Sequence, residues 1–229
     1  MSKAFFKKNL PSFILIGCTA ILITVTGIYF RQSFFRILPL YISLIVAFLQ
    51  SRVNRYGSLL GSANSLIYAA VYVYYSLYAS VLSALLVSFP IQLLTFIRWN
   101  RNKWEQSTVL RRMKPKYMAL LLLGFSILLV AMWFILPHLG AQYVFLDSTV
   151  TILGTLTSFL TMFAFVEYTF FMVVNCFLNI ALYVQMVPDS PDTITYLVFA
   201  VYSFICAVIG AVSATKIYKS QQKELSENS

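Results

Sequence analysis

Residues 57–99 read GSLLGSANSLIYAAVYVYYSLYASVLSALLVSFPIQLLTFIRW, an apolar stretch whose few polar residues recur at helical spacing. Gly57, Gly61, Asn64, Tyr68, Tyr72 and Tyr75 follow one another by three or four residues, so they fall on one face of a helix. Small residues allow helices to approach closely in a bilayer, and an amide can hydrogen-bond across such a contact. The same pattern, with Gln92 on the following helix, also suits the lining of a solute cavity at membrane depth. Gly57 and Gly61 are assigned mainly to packing, Trp99 mainly to the membrane interface, and Asn64, Tyr68, Tyr72 and Gln92 to the solute.

The surrounding composition requires a membrane. The 229 residues are 60% hydrophobic and 10% charged, with a mean hydropathy of +0.80, far from the averages of soluble domains. Apolar runs of about 20 residues select transmembrane helices over a β-barrel, whose strands are shorter and alternate. Eight such runs are expected: 11–30, 34–50, 56–78, 80–99, 117–136, 143–165, 167–187 and 194–215. Pro90 lies within the fourth, where it invites a kink. The turn MVPDSPDT precedes the last run, and the closing KIYKSQQKELSENS is expected to be a polar, mobile tail.

Charge orients the bundle. Of the seventeen Lys and Arg, only Arg31 and Arg36 fall outside if both termini are cytoplasmic, the asymmetry that basic residues show around membrane helices. This accounts for the net charge of +10 without invoking nucleic acid. The basic stretch from Arg98 to Lys116 divides the chain. The expected organisation is an N-terminal tail and extra helix (1–33), a three-helix unit (34–99), a basic loop and linking helix (100–140), a second three-helix unit (141–218) and a cytoplasmic tail (219–229). This is an all-α membrane protein with one extra helix and a 3+1+3 arrangement. An odd number of helices in each unit and in the link makes the units parallel, with equivalent faces toward a shared midplane cavity. In the seventh run Tyr168, Phe171, Asn175 and Asn179 repeat the polar face of the third.

Enzymatic constellations are missing. The single histidine, His138, is expected in the outer link beside Pro137, which leaves nothing for a histidine zinc site or a Ser-His-Asp triad within the membrane. GSLLGS lacks the lysine and preceding strand of a nucleotide-binding loop. The cysteines Cys18, Cys176 and Cys206 show no ligand spacing. No enzyme, metal or cofactor is expected. Asp147 lies at the edge of a run and is a candidate for solute contact, whereas Glu167 reads as a solvated helix start. The lining residues are amides and rings, suited to a flat heterocycle bearing hydroxyls and unsuited to phosphate.

These motifs resemble the PnuC-type transporter family of bacteria, which takes up nicotinamide riboside and related vitamin precursors. The resemblance is carried by NRYGSLLGSANSLIY (Asn54 to Tyr68), by Leu77 and Tyr78, and by FPIQLLTFIRW (Phe89 to Trp99), which is similar to the family's F-P-x-Q stretch ending in Trp. A family W-x-x-W pair corresponds here to Tyr168 and Phe171, ahead of Asn175, and a Gly commonly found after P-x-Q is Thr95. The resemblance implies facilitated diffusion across the inner membrane without ATP, trapping of the solute by a cytoplasmic kinase, and a homotrimer. It leaves open nicotinamide riboside, thiamine, riboflavin or a deoxyribonucleoside as solute. Two readings of other classes stand beside it: a solute-binding membrane subunit that needs a separate ATPase, and an assembly protein whose amides only join helices.

Overall fold

The structure, a computed structural model, describes residues 3–74, 84–138 and 143–227, with side chains described from Leu10 onward except at positions 71, 72, 74 and 136. The expected boundary between the third and fourth runs lies outside the described residues, as do Tyr75 and the side chain of Tyr72.

Eight α-helices are seen among the described residues: α1 (Lys3–Tyr29), α2 (Phe34–Ser51), α3 (Tyr56–Tyr74), α4 (Phe89–Arg101), α5 (Pro115–His138), α6 (Val144–Met162), α7 (Tyr168–Met186) and α8 (Ile194–Glu227). Six of them are long and apolar enough to cross a membrane. The other two are α3 and α4. Ser, Gly and Asn on one stripe lower the hydropathy of α3, and α4 has 13 residues. Pro90 sits in the first turn of α4, immediately after a π-helical turn over Ala84–Ser88. The missing N–H of Pro90 thus costs no bond inside α4, and the irregular geometry is taken up by the turn before it.

Packing arranges six helices in a ring. Each of α2, α3, α4, α6, α7 and α8 lies against the next, and α8 closes on α2; α1 packs outside on α8 and α2, and α5 outside on α6. Among the core side chains of the α1, α2 and α8 contact are Ile23, Leu40, Leu44 and Tyr202, with the Tyr202 hydroxyl donating to the Leu44 carbonyl at 2.9 Å. The seam is also tied at its start, where Arg36 pairs with Asp192 at 2.7 Å.

A second core gathers Trp99, Leu110, Leu156, Leu160, Tyr168 and Ala214 under the basic loop. That loop is ordered. Lys103–Trp104 (β1) and Ser107–Thr108 (β2) form a short antiparallel hairpin, and the chain then exchanges backbone bonds with the α6–α7 turn, Arg111 N–H to Ala164 O and Val166 N–H to Arg111 O, both at 2.9 Å.

Three expectations are corrected here. The C-terminal tail is helical, since α8 runs on to Glu227, and its Gln221 is only 2% exposed. The Gln221 amide accepts from Leu110 N–H and donates to Thr108 O, each at 2.9 Å, so a polar side chain that reads as solvent-facing is consumed by loop backbone. Glu167 is not simply solvated: its carboxylate accepts from Met113 N–H at 3.2 Å and faces Arg112 at 3.8 Å. Trp99 is not an interfacial anchor. It is 3% exposed, because its indole N–H donates to the Thr161 carbonyl at 2.8 Å across the α4–α6 seam.

Candidate functional site

The ring encloses a cavity of about 600 Å³ to which α2, α3, α4, α6, α7 and α8 all contribute, within the range of small-molecule sites. Among the described residues that line it, none is Asp, Glu, Lys, Arg or His.

On the α3 side the stripe of small residues brings neighbouring helices close enough for their amides to be held. Asn64, 5% exposed, donates from Nδ2 to the Pro39 carbonyl at 3.2 Å and to Ser43 Oγ at 2.9 Å on α2. Those two bonds fix which end of the amide is which, and Oδ1 is left buried with no donor. Gln92 on α4 donates from Nε2 to Ser65 Oγ at 3.1 Å, and Ser65 in turn donates to the Gly61 carbonyl at 3.0 Å. Gly61 makes this possible: a Cβ there would lie 1.8 Å from Gln92 Oε1. Its role is therefore to seat a cavity amide, beyond the general packing expected of it. Gly57 does match packing, since a Cβ would meet the Gln50 backbone N and the Leu49 Cβ at 3.2 Å.

Across the cavity, Tyr168 is 4% exposed and its ring lies 6.4 Å from that of Trp99 at 59°. Asn175 lines the wall next to Gly154, where a Cβ would stand 3.4 Å from Asn175 Nδ2. Its Oδ1 is also buried without a donor.

Five of the expected residues, Asn64, Tyr68, Gln92, Tyr168 and Asn175, thus share one cavity. Three do not line it. Asn179, one turn past Asn175, turns its amide back to the Asn175 carbonyl at 2.9 Å. Phe171 packs against the loop-end core and edge-on to Phe170 at 5.4 Å. Asp147 is exposed in the first turn of α6. Tyr72 lies outside the described side chains.

Sequence reading missed Ser65, Trp99 and one face of α6. Thr151, Gly154, Thr155, Ser158 and Thr161 all line the cavity, and their three-and-four spacing was a legible signal. Their inward direction was not, because Thr and Ser are tolerated on any face of a membrane helix once the hydroxyl bonds the carbonyl four residues back.

A chain with a polar, charge-free cavity inside an apolar ring of helices has the form of a carrier. A family model described as nicotinamide mononucleotide transporter matches residues 33–215. The chain belongs to this family. As a member of the nicotinamide mononucleotide transporter family it is a multi-pass membrane transporter and not an enzyme. The fold is similar to that in "Crystal structure of the Vitamin B3 transporter PnuC", with a TM-score of 0.73 over 96% of this chain and 99% of that one, at 18% identity. No curated protein sequence matches the chain.

Proposed function

We propose that this transporter carries a non-phosphorylated vitamin precursor or nucleoside by facilitated diffusion, with nicotinamide riboside the first candidate. The observation that carries the reading is the charge-free lining of a cavity large enough for a ring and a sugar. The family description names a mononucleotide, but a phosphate at membrane depth requires Arg or Lys to offset its desolvation, and neither is among the described residues that line this cavity. Asn64, Gln92 and Asn175 bond the solute, and Tyr68 and Tyr168 supply ring faces. Uptake runs across a bacterial inner membrane, with both termini cytoplasmic as the basic loops require. Movement is a rocking of two parallel three-helix units, 34–99 and 141–218, about the cavity. Phosphorylation by a cytoplasmic kinase then traps the product, which the neutral site no longer accepts.

The test is equilibration of labelled nicotinamide riboside into liposomes holding the purified chain, without ATP or an ion gradient. Uptake that saturates, is blocked by unlabelled riboside and is indifferent to the mononucleotide is the expected result. Uptake only after adding an ATPase would replace this reading with that of a solute-binding subunit. Thiamine, riboflavin and deoxyadenosine in the same assay identify the solute if the riboside is ignored.

A further inference from the structure

Three hydroxyls on the α6 wall have already spent their protons on their own helix. Thr155 donates to Thr151 O at 2.9 Å, Ser158 to Gly154 O at 2.9 Å and Thr161 to Thr157 O at 2.7 Å. On the opposite wall Thr95 donates to Ile91 O at 2.7 Å, Ser65 to Gly61 O, and Asn64 Nδ2 and Gln92 Nε2 to the partners given above. A hydroxyl whose proton is committed can only accept at its remaining lone pair. Asn64, nineteen-twentieths buried, leaves its Oδ1 without any donor, and so does Asn175. At these positions the cavity presents lone pairs to its contents, the hydroxyl protons being held by the helix that carries them.

We infer that Thr155 and Ser158 are specificity-determining residues that read hydrogen-bond donors on the solute, so that the transported class is defined by the hydroxyl or N–H groups it brings. The inference rests on the transport reading and sharpens it. A solute hydroxyl that enters this site serves as donor, and replacing it with fluorine, which keeps size and weak acceptor character but removes the proton, loses the contact. A site that used its own donors would tolerate the fluorine. Thr155 follows Gly154 directly and Ser158 lies one turn beyond it, and Gly154 gives Asn175 its room, so the two hydroxyls and the Asn175 amide lie near one another across α6 and α7.

The experiment measures binding of nicotinamide riboside, thiamine, riboflavin and deoxyadenosine to the purified full chain by thermal shift and calorimetry. The best binder, together with its fluoro-for-hydroxyl analogue, is then titrated against Thr155→Val, Ser158→Ala and Thr149→Val. Thr149 makes the same kind of bond, to Phe145 O at 2.6 Å, but does not line the cavity. Thr155→Val and Ser158→Ala are expected to weaken the natural solute by about five- to tenfold each, with Thr149→Val unchanged. The fluoro analogue is expected to bind weakly to wild type and to lose nothing further in at least one of the two variants. Wild-type binding with no loss in either variant, or equal binding of the fluoro analogue, overturns the inference and leaves the transport reading intact. No binding by any of the four solutes overturns both.

Discussion

Gly61→Ala is the substitution that separates close packing from solute binding. The added Cβ would sit 1.8 Å from Gln92 Oε1 and 3.0 Å from its Cδ, so the amide must retreat by roughly 1.5 Å to reach van der Waals distance. The retreat breaks the 3.1 Å bond to Ser65, costing about 1 kcal/mol, and takes Gln92 off its rotamer for about another 1 kcal/mol. Alanine recovers about 1 kcal/mol in helix propensity. The net loss of stability is thus small, about 1 kcal/mol, whereas the solute loses a placed amide and binds about tenfold more weakly. Gly57→Ala shows the reverse. Its new Cβ meets backbone that cannot retreat, so it costs about 1–3 kcal/mol of stability, while the affinity of the folded protein stays within about twofold. Thermal unfolding in detergent and calorimetry with nicotinamide riboside give both numbers. Gln92→Asn, one methylene shorter, should relieve the crowding in the Gly61→Ala background. Unaltered affinity in Gly61→Ala, or a fall in affinity matched in Gly57→Ala, would refute the assignment of Gly61 to seating Gln92.

Two further outcomes follow from the loop end of the ring. Trp99→Phe keeps a ring but removes the donor to Thr161 O; that carbonyl still accepts from Ala164 N–H at 2.9 Å, so nothing is orphaned and the loss should be only about 1 kcal/mol, against about 3–5 kcal/mol for Trp99→Ala. Equal losses in thermal unfolding would mean that the ring packing contributes nothing beyond the indole N–H. Gln221→Ala frees Leu110 N–H and Thr108 O, and hydrogen exchange at Leu110 should accelerate by at least about tenfold; exchange unchanged from wild type would show that the loop is held by other contacts.

The fold class and much of the site were legible in local pattern. Span lengths, the polar stripe through Gly57, Gly61, Asn64 and Tyr68, and the matching residues Tyr168 and Asn175 all follow from a 3.6-residue period that any segment carries within itself. The period also gives Asn179 and Phe171 nearly the same face as Asn175, and there it reaches its limit. A helix wheel assigns a face to within a wide arc, while membership of the cavity is decided by rotamer and neighbour: Asn179 folds back on its own helix and Phe171 enters the loop-end core.

The amino-acid sequence by itself determined that this chain is a helical membrane protein and that amides and phenols recur where lipid alone would not have them. Tertiary structure decided the rest. Trp99 and Gln221 read as exposed because interfacial tryptophan and tail glutamine usually are, but each is buried by a backbone group more than 60 residues away, the Thr161 carbonyl for Trp99 and the Thr108 and Leu110 backbone for Gln221. Which lone pairs and which protons face the cavity likewise depends on partners on other helices, above all on Pro39 and Ser43 for Asn64. Hydrogen-bond polarity is a property of the assembled pair, so no single segment can carry it.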